Sequence, residues 1–530
     1  MSATAKGGVL LRFLSARVRL AYLGSVAVFL WCVAQFFHPG TGFSSLISIG
    51  DMLKETEVTA LRQTPHYVYE SSPGYDGAYY VQLALYPTLD NPELKKAIDN
   101  LPYRARRILF SWAAWALGLG QPAWIVQAHA LLNVLCWLVL GWALLRWFPP
   151  TGWENFARWA AVMFSHGMIM SVRNSLVDGP SLLLVALALR WLEQEKRGLG
   201  GATLALAGLG KETSLLATAG ADFDWRAPRT WPRTALTVGL IALPLAGWMG
   251  YVRWKFGPAD DPGLGNFTWP LVGFVEKMRV ACRDVMTRDT GALNWATLGA
   301  IVALAVQAGF ILVRPRPADR WWRVGAAFAL MMLLLSTPVW EGHPGAATRV
   351  LLPMTLAFNL VVPRGARWLP VLIAGNLTVA ASVFEFSPPH DFYTVRGEAT
   401  ASAAVRVAPG PGWHGPERHL EQHWRWSGGR AELRLVNTAA QPVRVVLLGR
   451  VSAVAGRRSV RVVHRESLVW AEAVGAAPVL MRFGFDLPPG ETVLVFSTDQ
   501  PAEKIGTDPR ELAFRVMNLE IVVTPASVPR

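Results

Sequence analysis

The tetrad Gly74-Tyr75-Asp76-Gly77 sets one carboxylate between an aromatic ring and a glycine, just ahead of an apolar stretch. A carboxylate there can take the proton of an acceptor hydroxyl. Its ordinary pKa of about 4 makes it a weak base, so a partly buried setting would be needed. The same four residues also read as a plain turn, since Asp and Gly favour turns. Some 30 residues on comes Tyr103-Arg104-Ala105-Arg106-Arg107-Ile108. Arginine forks match phosphate oxygens bidentately, so Arg104 and Arg107 are candidate ligands for a lipid phosphate or pyrophosphate. Interfacial anchoring to anionic headgroups is the competing reading.

Three further sites carry charge inside or beside apolar sequence. Arg173 and Asp178 flank one turn; pairing with each other is the bland reading, and a second acidic residue lining a site is the chemical one. Lys211-Glu212 lies between two short apolar runs. Adjacent residues do not face each other on a helix, so each needs its own partner, a polar cavity, or an exposed loop. In a cavity, Lys211 would hold a phosphate as a point charge and Glu212 would orient it or a sugar hydroxyl. Arg349 follows the turn Trp340-Glu341-Gly342-His343-Pro344-Gly345 and is another phosphate candidate, with snorkelling to the interface as the alternative. His343 carries no assignment. Near the C-terminus, Trp413, Trp424 and Trp426 lie close to Glu417 and Glu421. Trp424 and Trp426 are candidates to bind sugar rings, against core packing as the commoner use of tryptophan.

The elements that must position these residues are mostly membrane helices. The 530 residues are 52% hydrophobic and 17% charged, with a mean hydropathy of +0.28 and 24 Trp. A soluble domain usually carries about 25% charged residues. The net charge of +14 falls in short runs between apolar segments, unlike the basic stripe of a nucleic-acid binder, so nucleic acid is excluded as a partner. The three cysteines form no CxxC or Cys/His cluster, so neither a disulfide framework nor a zinc site is expected.

Apolar runs predict spans at 18–37, 122–147, 154–172, 178–194, 234–252, 291–313, 322–340, 346–362 and 367–386. The short runs 199–210 and 213–222 predict a hairpin, for about 11 spans in all; 108–120 predicts a juxtamembrane or re-entrant helix. With a cytoplasmic N-terminus, the inner loops gather Arg146, Arg158, Arg190, Lys196, Arg197, Arg226, Arg229, Arg233, Arg314, Arg316, Arg320, Arg323, Arg364 and Arg367. The short outer loops hold only Arg173, Lys211 and Arg349, as the positive-inside rule requires. Loop 253–290, with six basic and five acidic residues, is an exception. The first loop, 38–107, would lie outside. After Ser387-Pro388-Pro389, short alternating runs at Ala431–Asn437, Val443–Leu448, Ser459–His464, Val479–Asp486 and Thr492–Ser497 predict a β-sandwich. The domains expected are therefore a membrane domain, 1–387, and a soluble all-β domain, 388–530, on the periplasmic side of a bacterial inner membrane.

The order of these motifs resembles the GT-C superfamily of membrane glycosyltransferases, which includes protein O-mannosyltransferases and the lipid A aminoarabinose transferase. The resemblance spans roughly 15–385. It rests on Gly74-Tyr75-Asp76-Gly77-Ala78-Tyr79-Tyr80, Ala84-Leu85-Tyr86-Pro87, Tyr103 to Phe110, and Lys211-Glu212-Thr213. Ala78 stands where a polar residue is usual, and Phe110-Ser111 where Tyr-Pro is usual. The resemblance implies a sugar donor on polyprenyl phosphate or pyrophosphate, transfer outside the membrane with inversion, and a glycan, lipid or protein acceptor. It implies that Asp76 is the base and that basic residues near the membrane hold the donor phosphate. Some members use a divalent metal and others do not, so a metal stays open as a cofactor. A transporter or flippase would show inverted repeats, which the sequence lacks; a non-catalytic glycan-binding scaffold is the other rival.

Overall fold

The computed structural model describes residues 3–38, 40–70, 72–221, 229, 231–257, 263–287, 291–389, 392–398, 401–402, 404–419, 422–506, 508 and 510–525. Arg226, Glu421 and part of loop 253–290 lie outside the described residues. The chain divides into two compact units, Met1–Pro388 and Pro389–Arg530.

The first unit is helical. Among the described residues, four helices are long and apolar enough to cross a membrane: Ala16–Ala34 (within Ala3–Ala34), Pro122–Leu144, Trp231–Phe256 and Ala292–Val313. The pair Ala366–Ala374 and Thr378–Glu385, bent by 41°, can supply a fifth span. The outward faces of these helices are apolar, with Leu236, Leu240 and Leu243 all exposed, as a lipid environment requires. The other expected spans are shorter or interrupted. The 154–172 segment splits at Phe164-Ser165 into Trp153–Met163 and His166–Arg173, because Ser165 is extended. Segment 322–340 gives Arg320–Leu334 and then Thr337–Trp340, which carries Pro338 in its first turn. Segment 346–362 gives Ala347–Val350 and Leu352–Val361, the latter with Pro353 in its first turn. Proline suits a first helical turn and ends the hydrogen bonding of whatever precedes it. The 108–120 run forms the short helix Leu109–Leu117.

Tryptophans lock the bundle. Trp137 stacks on Phe29 at 3.7 Å and its Nε1 donates to the Met163 carbonyl. Trp159 Nε1 donates to Gly141 O, and Tyr22 Oη to Phe148 O. The first helix is thereby fastened through buried rings whose polar atoms are satisfied.

The second unit is a sandwich with eleven strands among the described residues: β1 Tyr393–Gly397, β2 Val405–Pro409, β3 Glu417–His419, β4 Gln422–Ser427, β5 Arg430–Asn437, β6 Val443–Ala453, β7 Arg458–His464, β8 Ser467–Val474, β9 Val479–Leu487, β10 Gly490–Thr498 and β11 Phe514–Pro525. One sheet runs β3-β4-β11-β6-β9, with β1 parallel to β11; the other runs β2-β5-β10-β7-β8. Alternate residues such as Leu433, Leu435, Val445, Leu447, Val460, Val462, Phe496 and Ile521 are buried in the core between them.

Candidate active site

Each chemical residue owes its position to a local device. Gly74, at φ +72°, turns the chain, and Asp76 then opens the helix Asp76–Leu85. The turn reading and the chemical reading of this tetrad thus describe the same segment. Gly77 must lack a side chain, since a Cβ there would sit 2.1 Å from the Asn174 carbonyl oxygen. Asn100 caps the helix Leu101–Ala105 by accepting from Tyr103 N–H, which sets Arg104, Arg106 and Arg107 in order before the next helix. Lys211 is extended (φ −160°, ψ 122°) between the helix Arg197–Gly210 and the 3-10 helix Glu212–Gly220. That break turns Lys211 and Glu212 to different partners. Asp178 begins the helix Asp178–Glu193, and Arg349 sits on the four-residue helix Ala347–Val350.

These residues converge. Arg349 Nη2 donates to Asp76 Oδ2 and Nη1 to Asp178 Oδ2, each at 3.0 Å. Lys211 Nζ donates to Asp178 Oδ1. Arg104 Nη1 reaches Asp76 Oδ1 at 3.0 Å while its Nε and Nη2 grip Asp99 at 3.0 and 2.8 Å. Arg107 forks onto Glu212 at 2.8 and 2.6 Å and also donates to the hydroxyls of Tyr80 and Tyr103. Arg106 reaches Glu212 at 3.2 Å and lies 4.0 Å from the centre of the Tyr103 ring. Tyr75 places its ring 5.7 Å from the Arg349 guanidinium.

A cavity of about 510 Å³ opens onto this network. Its lining includes Asp76, Asp99, Glu212, Arg104, Arg106, Arg107, Lys211 and Arg349. Five cations face three carboxylates there, so the lining favours an anionic guest. Arg349 Nε is buried with no hydrogen-bond partner among the described residues. Burial pushes the Asp76 carboxyl up, but Arg349, Arg104 and Arg107 outweigh it and hold the group below its ordinary value. The resting carboxylate is therefore ionised, and two arginines occupy its oxygens.

The expected pairing of Arg173 with Asp178 does not form. Arg173 donates to Ser48 Oγ, Ser45 O and the Tyr69 hydroxyl, where it ties the first loop to the bundle. Asp178 is left to bridge Lys211 and Arg349. Exposed-loop and snorkelling readings of Lys211 and Arg349 fail for the same reason, as both end on buried carboxylates. Asp99 was not among the expected site residues; its signal is its place five residues before Arg104, across the Asn100 cap.

The lining does not fit a divalent cation. Asp76, Asp178 and Glu212 each already face arginine or lysine. No cluster of three or more His, Cys, Asp or Glu residues is placed to hold a metal among the described residues.

In the second unit, Trp413 packs into the core against Phe496 and Phe514. Trp424 and Trp426, two residues apart on β4, share one face of the sheet instead, with the Arg515 guanidinium 5.2 and 5.1 Å from their rings. Both are half-buried, so core packing is not their role. Trp424 Nε1 also donates to Glu417.

No protein-family description matches the chain. No curated protein matches it significantly. Among solved structures, the chain is similar to the arabinosyltransferase EmbB from Mycobacterium smegmatis, at 12% identity and a TM-score of 0.34. The match covers 83% of this chain and 62% of that one, so this chain spans less than two thirds of the EmbB chain. At that TM-score the likeness carries no argument about function, and the functional reading rests on the cavity.

Proposed function

We propose that this protein is a GT-C-like membrane glycosyltransferase that moves a sugar from a polyprenyl phosphate or pyrophosphate donor to an envelope glycan, lipid or protein on the periplasmic side. The single observation carrying this reading is the gathering of Asp76, Arg104, Arg107, Lys211, Glu212 and Arg349 around one cavity from four separate stretches of sequence. A carboxylate beside a surplus of arginine and lysine is what transfer from a phosphate leaving group needs: a base for the acceptor and cations for the departing charge.

The chemistry balances without a further reactant. The acceptor hydroxyl attacks the anomeric carbon, and its proton passes to Asp76. A new carbon–oxygen bond forms as the bond to the phosphate oxygen breaks, with inversion. The electron pair leaves on the lipid phosphate, where Arg349, Arg104 and Lys211 take up the charge. Donor binding also prepares the base. A phosphate that draws Arg349 and Arg104 toward itself removes the contacts that depress Asp76 while its burial remains, so its proton affinity rises. Arg107 and Arg106, held by Glu212, form the second wall of the phosphate site. Trp424 and Trp426 would offer an acceptor glycan a stacking face on the β unit, the two rings separated by Arg515.

The test is donor consumption by the purified full-length protein in lipid nanodiscs, in the presence of a bacterial envelope glycan and lipid extract as acceptor, supplied with polyprenyl-linked sugars and, separately, nucleotide sugars. Release of free polyprenyl phosphate or pyrophosphate from at least one lipid-linked donor, and none from nucleotide sugars, supports the reading. Turnover of nucleotide sugars, or of no donor in a broad panel, contradicts it.

A further inference from the structure

The break at Ser165 brings two residues against Arg349 that no motif marks. His166 opens the helix His166–Arg173 with its ring fully buried. Its Nδ1 lies 2.7 Å from Thr348 Oγ1 and its Nε2 3.2 Å from Glu385 Oε1. Thr348 immediately precedes Arg349 on a helix of only four residues. One turn of helix is too short to hold itself, so its orientation comes from its neighbours. His166 provides a polar anchor for it. Gly167 provides a close seat, since a Cβ there would meet Thr348 O at 2.3 Å and Arg349 Cα at 2.7 Å.

A hydroxyl, an imidazole and a carboxylate in a row also invite a nucleophilic reading. The geometry argues against it. Thr348 Oγ1 donates its proton to Gly345 O at 3.0 Å, is buried, and is absent from the cavity lining. With that proton committed, the hydroxyl meets the imidazole as an acceptor. The trio is a strut, and the group it carries into the cavity is Arg349.

We infer that His166, held by Glu385, is a positioning residue that fixes the short helix from which Arg349 reaches the phosphate of a lipid-linked donor. This rests on the donor-phosphate reading of the cavity. Neither His166 nor Glu385 lines the cavity, so their effect on the reaction runs through Arg349.

The experiment measures binding of farnesyl phosphate to the full-length protein in nanodiscs, together with donor KM and kcat, for five proteins: wild type, Thr348→Ser, Thr348→Val, Gly167→Ala and Arg349→Ala. Serine keeps the acceptor for His166, and valine keeps the shape without it. The expected result is about tenfold weaker binding for Thr348→Val and Gly167→Ala, the loss of one well-placed charged contact. Donor KM should rise with it, acceptor KM should stay put, and Thr348→Ser should bind as wild type does. If Thr348→Val binds as wild type while Arg349→Ala does not, the positioning role is overturned and the phosphate site survives. Equal losses in Thr348→Ser and Thr348→Val would reduce the contact to packing and also overturn it. If Arg349→Ala itself binds farnesyl phosphate normally, the phosphate site falls, and this inference with it.

Discussion

Asp178 shows how much at this site hangs on single residues. Its carboxylate is fully buried between Lys211 and Arg349. Replacing it by Asn leaves two buried cations facing a neutral group. Breaking a buried pair in this way typically costs about 3–5 kcal/mol. Asp178→Asn is therefore expected to lower the melting temperature clearly, read by dye-free fluorescence of the detergent-solubilised protein; a melting curve like wild type would contradict the ion network. Gly77→Ala is a different kind of probe. The methyl group would have to displace the Asn174 carbonyl, an overpacking worth about 1–3 kcal/mol. The helix carrying Asp76 must move to make room, so transfer should fall more than stability does, measured as rate against melting temperature on the same preparation. The residue types at the site were legible because charge inside apolar sequence demands an explanation. Their pairing was not. Arg173 and Asp178 are neighbours in sequence, yet the turn between them sends one to the first loop and the other to Lys211. Asp99 and His166 were invisible because one acid among several in a polar loop and a lone histidine in an apolar run have no spacing to mark them.

At the scale of elements, apolar length overstated continuity. Segments 154–172, 322–340 and 346–362 each carry enough apolar residues for a span, but an extended serine or a proline at a helix start divides each. These breaks put His166 and Arg349 where they are. In the β unit, five strands were legible from alternation, and six others among the described residues were missed. The longest of the missed strands, β11, hides its period because its register to β6 shifts between Met517 and Glu520, with Asn518 at φ 44°. The turn ahead of β11 makes its own prediction. Asp508 is pushed down to about 2, chiefly by its hydrogen bond from the Arg510 side chain. Arg510 also donates to Glu417, which accepts from Trp424 Nε1. A carboxyl with a depressed folded pKa adds stability above its ordinary value of 3.8 and loses it as pH falls toward 2. Tryptophan fluorescence should therefore shift in that acid window in wild type, and the shift should be absent in Asp508→Asn. An unchanged titration in the variant would detach Trp424 from this chain of contacts.

For the whole molecule, the composition already separated an apolar helical part from a β-rich tail, because a bilayer and a sandwich impose different periods on sequence. The proposed orientation in the membrane rests on charge alone. If the basic loops are cytoplasmic, a C-terminal alkaline phosphatase fusion will be active in a bacterial host and a C-terminal fluorescent protein will be dark. The opposite pattern would place Asp76 away from a flipped lipid donor and remove the basis for transfer outside.

The central claim is that Asp76 takes the acceptor proton in a cavity built to hold a lipid phosphate. The measurement that tests it most directly is transfer of radiolabelled sugar from a polyprenyl-linked donor by wild type and Asp76→Asn, at matched expression and with donor binding checked in parallel. Loss of a general base typically costs about 10²–10⁴-fold. The account predicts a fall in kcat within that range while the variant still binds donor. Transfer by Asp76→Asn at the wild-type rate would contradict it.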